Sequence, residues 1–273
     1  MESIFRQFFR LPGLVQVFLV ILLGLIPVVT AIQLLIIQNI GVMSAIPWAV
    51  IPAGFLLFGY YRLVTNNHAL PRFESFRSWS GVDMPVTGKP ALIVLVVILL
   101  ILFTATSVSA GFAFAQSESP QILFLQNFRQ LNPEVAIPLL FMLALTAGIV
   151  EEIVFRGFVQ KILIHSYGVI KGIGIVAVLF TLVHFLPMEL YLPYFLVSVL
   201  FSLVAYHFNS TMPCILAHFA FDFIAFCLFY FEAPITSQEY FEQNWIMNAF
   251  MAILFVIILT YIYYFRSKNA TIS

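Results

Sequence analysis

Apolar runs long enough to cross a bilayer dominate the chain. Eight of them are separated by short polar segments, at about 14–37, 43–62, 90–114, 136–162, 172–187, 190–208, 213–231 and 246–265. A helix needs about 20 residues to cross the hydrocarbon core. Backbone groups cannot stay unpaired in lipid, and no run shows the alternation of a barrel strand. The pattern therefore predicts an all-α polytopic membrane protein with about eight transmembrane helices.

Composition and charge agree with this class. With 62% hydrophobic and 9% charged residues, the chain does not have the composition of a water-soluble globule. If both termini are cytoplasmic, Arg129 is the one basic residue among twelve that falls on the outer side. We therefore expect a multi-pass protein of a cytoplasmic membrane, in a prokaryotic cell, with both termini inside. The bilayer is its expected partner, and the chain has no basic patch that would suggest nucleic acid.

The distribution of ionisable residues divides the chain into three parts. Residues 1–134 hold three predicted spans, a basic cytoplasmic loop and an outer segment. Residues 135–231 hold four spans and the ionisable groups inside them. Residues 232–273 add an acidic outer loop, a last span and a polar tail. The loops are too short for a separate catalytic unit, so any chemistry must come from residues 135–231.

Six ionisable residues fall where a bilayer penalises them most. They are Glu151, Glu152, Arg156, His184, His218 and Asp222. Each charge at the centre of a membrane helix costs roughly 2.5–3.5 kcal/mol, even on lenient insertion scales. Grouping them into one polar site inside the helical bundle lowers that cost. The sequence therefore predicts a catalytic or ion-handling site within the bundle.

Helix periodicity suggests how the acids of the fourth span are arranged. Glu152 and Arg156 are four residues apart with the acid first, which favours an ion pair on one helix face. In an ideal α-helix, Glu151 points about 100° away from Glu152. We therefore expect Arg156 to neutralise Glu152 and Glu151 to face a cavity.

The two histidines repeat this four-residue spacing. Phe180 precedes His184 by one turn, and His218 precedes Asp222 by one turn. A carboxylate and imidazoles in a dry cavity can activate water as general acids and bases, and imidazole or Arg can stabilise an oxyanion. The chain has no glycine-rich phosphate loop or cofactor fingerprint, so hydrolysis is favoured over transfer chemistry.

Three motifs together resemble a known family. The patterns are Glu-Glu-x-x-x-Arg at 151–156, Phe-x-x-x-His at 180–184 and His-x-x-x-Asp at 218–222. In this order, each on its own predicted span, they resemble the CAAX protease and bacteriocin-processing (CPBP) family. Its members are intramembrane endopeptidases related to the prenyl-protein peptidase of eukaryotes. The resemblance covers about 135–231, and the last motif position is often Asn in the family.

The resemblance implies roles for all six residues. Glu151 would activate water with His184 as its partner, His218 and Asp222 would complete the site, and Glu152 with Arg156 would hold its shape. The family is described both as glutamate-type and as metal-dependent. We favour no cofactor; if zinc is present, its implied ligands are Glu151, His184, His218 and Asp222. The implied substrate is a membrane-associated peptide or protein.

Other classes of function remain open at this point. Buried Glu and His side chains also relay protons in transporters, although no inverted repeat with paired broken helices is visible. A non-catalytic family member acting as a scaffold or immunity protein is a further alternative. Gly-x-Ser-x-Gly, Gly-x-Gly-Asp and His-Glu-x-x-His are all absent from the sequence, which disfavours other kinds of intramembrane protease.

Overall fold

A computed structural model describes residues 10–65, 120–185, 188–231 and 260. Within these ranges all regular secondary structure is helical, as predicted. The predicted third span and, apart from Thr260, the predicted eighth span lie outside the described residues. A count of eight spans therefore stays a prediction.

The helices have the following bounds in the described ranges: α1 Gly13–Gly41, α2 Val50–Thr65, α3 Pro120–Gln126, α4 Pro133–Tyr167, α5 Val169–Leu182, α6 Met188–Phe208 and α7 Met212–Phe231. Of these, α1, α4 and α7 are long and apolar enough to cross a membrane. Shorter apolar stretches occur at Val50–Leu63, Val169–Leu182 and Tyr194–Phe208. The described part of the chain therefore has the helix lengths and apolarity of a membrane protein.

Helix α4 is the centre of the bundle. It starts at Pro133, whose missing N–H costs nothing at the first helical position, and the carbonyl of Asn132 accepts the N–H of Ala136. Its first half packs against α2 and α7, and its second half packs against α1 and α5. Charged residues in the middle of α4 are thus surrounded by protein rather than by lipid.

A glycine turn folds α5 back along α4. Gly168 has φ 80° and ψ 169°, a conformation that essentially only glycine adopts, and its N–H bonds to the carbonyl of Ile164. The chain reverses there and α5 runs back for about 21 Å at 1.5 Å per residue. This length brings the end of α5 back to the level of Glu151. The antiparallel pair therefore explains why motifs distant in sequence can meet.

Close contact between α4 and α7 depends on Gly148. A methyl group at this position would lie 2.9 Å from the carbonyl oxygen of Ile215 and 2.9 Å from the amide nitrogen of Phe219. Small residues at helix interfaces in membranes allow such backbone approach. The two helices therefore approach closely within one turn of both Glu151 on α4 and His218 on α7.

Polar contacts join the end of α7 to the segment that precedes α4, which includes a 3-10 turn at Asn127–Gln130. Arg129 donates from Nη2 to the carbonyl of Phe229 at 2.7 Å and stacks over the ring of that residue. The hydroxyl of Tyr230 donates to the carbonyl of Leu131 at 2.7 Å. The last carbonyls of a helix lack partners within the helix, so Arg129 satisfies that of Phe229. The two contacts together hold the end of α7 against the segment that precedes α4.

Candidate active site

The acids of α4 lie in a part of the helix that departs from α geometry. Residues Ala147–Glu151 and Ile153–Val159 form π-helical turns on either side of Glu152. Such turns are rare and occur frequently at functional sites. Because a π-turn rotates less per residue than an α-turn, the ideal spacing of 100° per residue expected from the sequence does not hold here. Side chains four residues apart therefore point in more nearly the same direction than they would in an α-helix.

Glu152 and Arg156 form the ion pair predicted from their spacing. Arg156 Nη1 donates to Glu152 Oε1 at 2.7 Å, and both side chains are fully buried. The same carboxylate oxygen lies 2.7 Å from Nδ1 of His218. Because this oxygen already accepts from Arg156, the histidine is the donor in its contact with it. Glu152 therefore links α4 to α7 and fixes the ring of His218.

Aromatic rings and a serine enclose the guanidinium group of Arg156. Its central carbon lies 4.4 Å from the ring centre of Phe180 and 5.3 Å from that of Phe201. Its Nη2 donates to the hydroxyl of Ser198 at 3.1 Å. A planar guanidinium can stack and hydrogen-bond at the same time, which lysine cannot do. Arg156 thus joins α4, α5 and α6 at one point.

His184 is not within a helix, contrary to the prediction that its span extends to residue 187. Helix α5 ends at Leu182, and His184 lies in the following turn. Its contact with the preceding turn is nevertheless present, because Nδ1 lies 2.6 Å from the carbonyl of Phe180. A carbonyl can only accept, so Nδ1 carries a proton and Nε2 points away from the helix end.

Glu151 and His184 form a carboxylate–imidazole pair that can share one proton. Oε2 of Glu151 lies 3.4 Å from Nε2 of His184, and each side chain is 14% exposed. With the Nδ1 proton directed at Phe180, a neutral His184 would present a lone pair to a carboxylate oxygen. That contact is favourable when one proton is shared by the two groups. The pair can therefore take up or release a proton at a partly accessible position.

His218 and Asp222 form a second pair of the same kind. Nε2 of His218 lies 3.4 Å from Oδ2 of Asp222, while its Nδ1 donates to Glu152. A proton must again lie between the imidazole nitrogen and the carboxylate for the contact to be favourable. Three acids thus face Arg156 and two imidazoles, so the site can be electrically neutral despite its burial.

A small cavity lies beside this second pair. Its lining contains His218, Asp222 and Tyr194, with apolar walls from other residues of α5, α6 and α7, and it has room for about one water molecule. The ring of Tyr194 also lies 5.2 Å from that of His184. The space therefore adjoins His218, and Tyr194 in its wall contacts His184, whereas Glu151 does not line it.

The four side chains named above as zinc ligands do not converge in this arrangement. Among the described residues, no group of three or more His, Cys, Asp and Glu side chains is placed to hold a metal ion. Glu151 pairs with His184, whereas His218 pairs with Asp222 and turns its other nitrogen to Glu152. The donor set therefore does not fit zinc as arranged.

Sequence reasoning did not find the residues of α6 that complete the site. Tyr194, Ser198 and Ser202 are all buried and lie four residues apart. That spacing places polar groups on one face of an otherwise apolar helix. Ser198 and Ser202 were the signal in the sequence, because polar residues in a membrane span usually face the bundle interior.

These features define a class: a helical membrane protein whose helices enclose a buried site of acids, histidines and one arginine. Residues 133–224 match the family described as type II CAAX prenyl endopeptidase Rce1-like. The match covers about a third of the chain and includes all three motifs. No curated protein and no solved structure matches the chain. The match agrees with the family resemblance of the motifs and supports a membrane protease at the level of the family.

Proposed function

We propose that the protein is an intramembrane endopeptidase that hydrolyses peptide bonds of membrane-associated peptides or proteins. The observation that carries the proposal is the Glu151–His184 pair, in which a partly exposed carboxylate lies 3.4 Å from an imidazole of fixed tautomer. Two general acid–base groups that share a proton are the minimum needed to activate water and protonate a leaving amine. The family match at 133–224 supports the same reaction class.

The chemistry proceeds through a tetrahedral intermediate. Glu151 accepts a proton from water as the water oxygen forms a bond to the peptide carbonyl carbon. The carbonyl oxygen becomes an oxyanion, which a protonated His218–Asp222 pair stabilises by hydrogen bonding. When the C–N bond breaks, the amine takes a proton from the Glu151–His184 pair. Glu152 and Arg156 remain charged throughout and hold His218 in place.

The test is a comparison of peptide termini in membranes that carry the wild type or Glu151→Gln at matched expression. Termini present only with the wild type would establish proteolysis, and their flanking residues would begin to define specificity. Identical sets of termini from two folded proteins would contradict the proposal. Transport or scaffolding would then become the better explanation of the site.

Asp222→Asn is expected to keep most of the cleavage activity. The wild-type contact between Nε2 of His218 and Oδ2 of Asp222 needs a proton between the two atoms. An asparagine amide can donate one N–H to Nε2 and offer the second to the oxyanion. The measurement is the cleavage rate of both proteins at matched expression. A folded but inactive Asn variant would show instead that Asp222 must act as a carboxylate.

Removal of divalent metal ions is expected to leave cleavage unchanged. The reason is that the acids and imidazoles are used in separate pairs rather than around one centre. The measurement is cleavage by purified protein before and after chelation, with the metal content determined in the same samples. Loss of activity that added zinc restores would contradict the metal-free mechanism.

The expected setting is a prokaryotic cytoplasmic membrane, with both termini inside and a multi-pass topology. In that setting the substrates are small membrane-associated peptides or proteins, such as those carrying leader peptides. Prenylated substrates are expected only in a eukaryotic cell. The basic residues near the end of α4, Lys161 and Lys171, support placing this end on the cytoplasmic side.

A further inference from the structure

A buried polar seam extends from the site along the interface of α4 and α6. It consists of Arg156 and Gln160 on α4 and Ser198 and Ser202 on α6, all of them at most 2% exposed. The two residues on each helix are four positions apart, so their side chains lie on one face of that helix. Gln160 Nε2 donates to the carbonyl of Ser202 at 2.8 Å, just as Arg156 donates to Ser198 one turn earlier.

This seam contains an unusual concentration of polar atoms without a protein partner. In the part of the chain that the structure describes, five buried side-chain nitrogen or oxygen atoms lack a hydrogen bond. Three of them lie in the seam: Arg156 Nε, Gln160 Oε1 and Ser202 Oγ. A fourth, Glu152 Oε2, belongs to the carboxylate that pairs with Arg156. Leaving one buried polar atom unsatisfied costs about 1–3 kcal/mol. The presence of three such atoms in one seam indicates a common partner rather than three independent losses.

The chemistry of these atoms suits one kind of ligand. Arg156 Nε can only donate, the oxygens of Glu152 and Gln160 accept, and the hydroxyl of Ser202 does both. Buried water molecules typically form about three such bonds to polar groups that are otherwise unsatisfied. We propose that the α4–α6 seam binds ordered water, with one molecule bridging Arg156 Nε and Gln160 Oε1 and a contact to Ser202 Oγ.

The bound water has a positioning role. Arg156 holds Glu152, and Glu152 orients His218, so water on Arg156 Nε fixes the plane of the guanidinium from its remaining side. Gln160 and Ser202 would then act through Arg156 without touching the reacting atoms. This inference does not depend on the proposed protease activity, because it concerns how a buried cation is held.

The stability of Ser202→Ala distinguishes a hydrated seam from a dry one. If water uses this hydroxyl, the variant is expected to unfold about 2–4 °C lower than the wild type, measured by thermal unfolding of the purified protein in detergent. If the seam is dry, removing an unsatisfied hydroxyl leaves the Tm unchanged or raises it, which would overturn the proposal. Thr146→Val is the control, since the buried Thr146 hydroxyl bonds within its own helix to Met142.

A second measurement needs no variant. An experimental structure at a resolution that reveals ordered water should show density within hydrogen-bonding distance of both Arg156 Nε and Gln160 Oε1. Empty space between these atoms, or a direct protein bond to either of them, would overturn the proposal. Neither measurement uses cleavage. A failure of the seam and a failure of the protease assignment can therefore be told apart.

Discussion

Glu151→Gln is expected to lower the rate of peptide-bond cleavage by about 10²–10⁴-fold, the usual contribution of a general base. Glutamine has nearly the same shape and can keep a hydrogen bond to Nε2 of His184. It cannot accept a proton from water. The loss should therefore appear in turnover, with the amount of folded protein in the membrane unchanged. The measurement is the rate of appearance of a defined peptide terminus, normalised to folded protein.

The control for this variant is Glu134→Gln, which makes the same chemical change on the same helix. Glu134 lies in the first turn of α4, far from the site, so its replacement should leave cleavage unaffected. Equal loss in both variants would indicate a general defect in folding or insertion. Retention of full cleavage by Glu151→Gln would remove Glu151 from the mechanism. A scaffold or immunity protein would keep its cellular phenotype with either variant.

The sequence predicted two contacts of the candidate site correctly. Four-residue spacing on a helix is a local property, and it correctly paired Glu152 with Arg156 and placed Phe180 beside His184. Both contacts are present although His184 lies in a turn. The catalytic roles of these residues, however, are still predictions. Six of the eight predicted spans overlap an apolar helix of the described residues, but only three of these helices are long and apolar enough to cross a membrane. The other two predicted spans lie mainly outside the described residues.

Three features could not be predicted from periodicity. The π-turns around Glu152 arise where α4 packs closely on α7 at Gly148, which is a tertiary effect. The contact between His218 and Glu152 joins residues 66 positions apart, so no spacing rule encodes it. The separation of the acids and histidines into two pairs likewise depends on how the helices meet. These features come from packing between helices rather than from any one helix.

The largest loss of stability is expected for Arg156→Met. Glu152 is 0% exposed, and removing Arg156 leaves its buried carboxylate with only the hydrogen bond from Nδ1 of His218. Breaking a buried ion pair in this way costs about 3–5 kcal/mol. The Tm of the purified protein should therefore fall by about 10 °C or more. Arg156→Lys should recover only part of this loss, because an ammonium group cannot stack on Phe180 and also bond to both Glu152 and Ser198.

The double variant Glu152→Gln/Arg156→Met tests the reason for that loss. With both charges removed, no unpaired carboxylate remains, so the double variant should be more stable than Arg156→Met alone. Its cleavage rate should still be low. The glutamine introduced in place of Glu152 can accept the hydrogen bond from Nδ1 of His218, but it carries no negative charge. Lys171→Met is the control for removing a cation from an exposed helix position. If Arg156→Met unfolds at the same temperature as this control, the buried pair does not stabilise the fold.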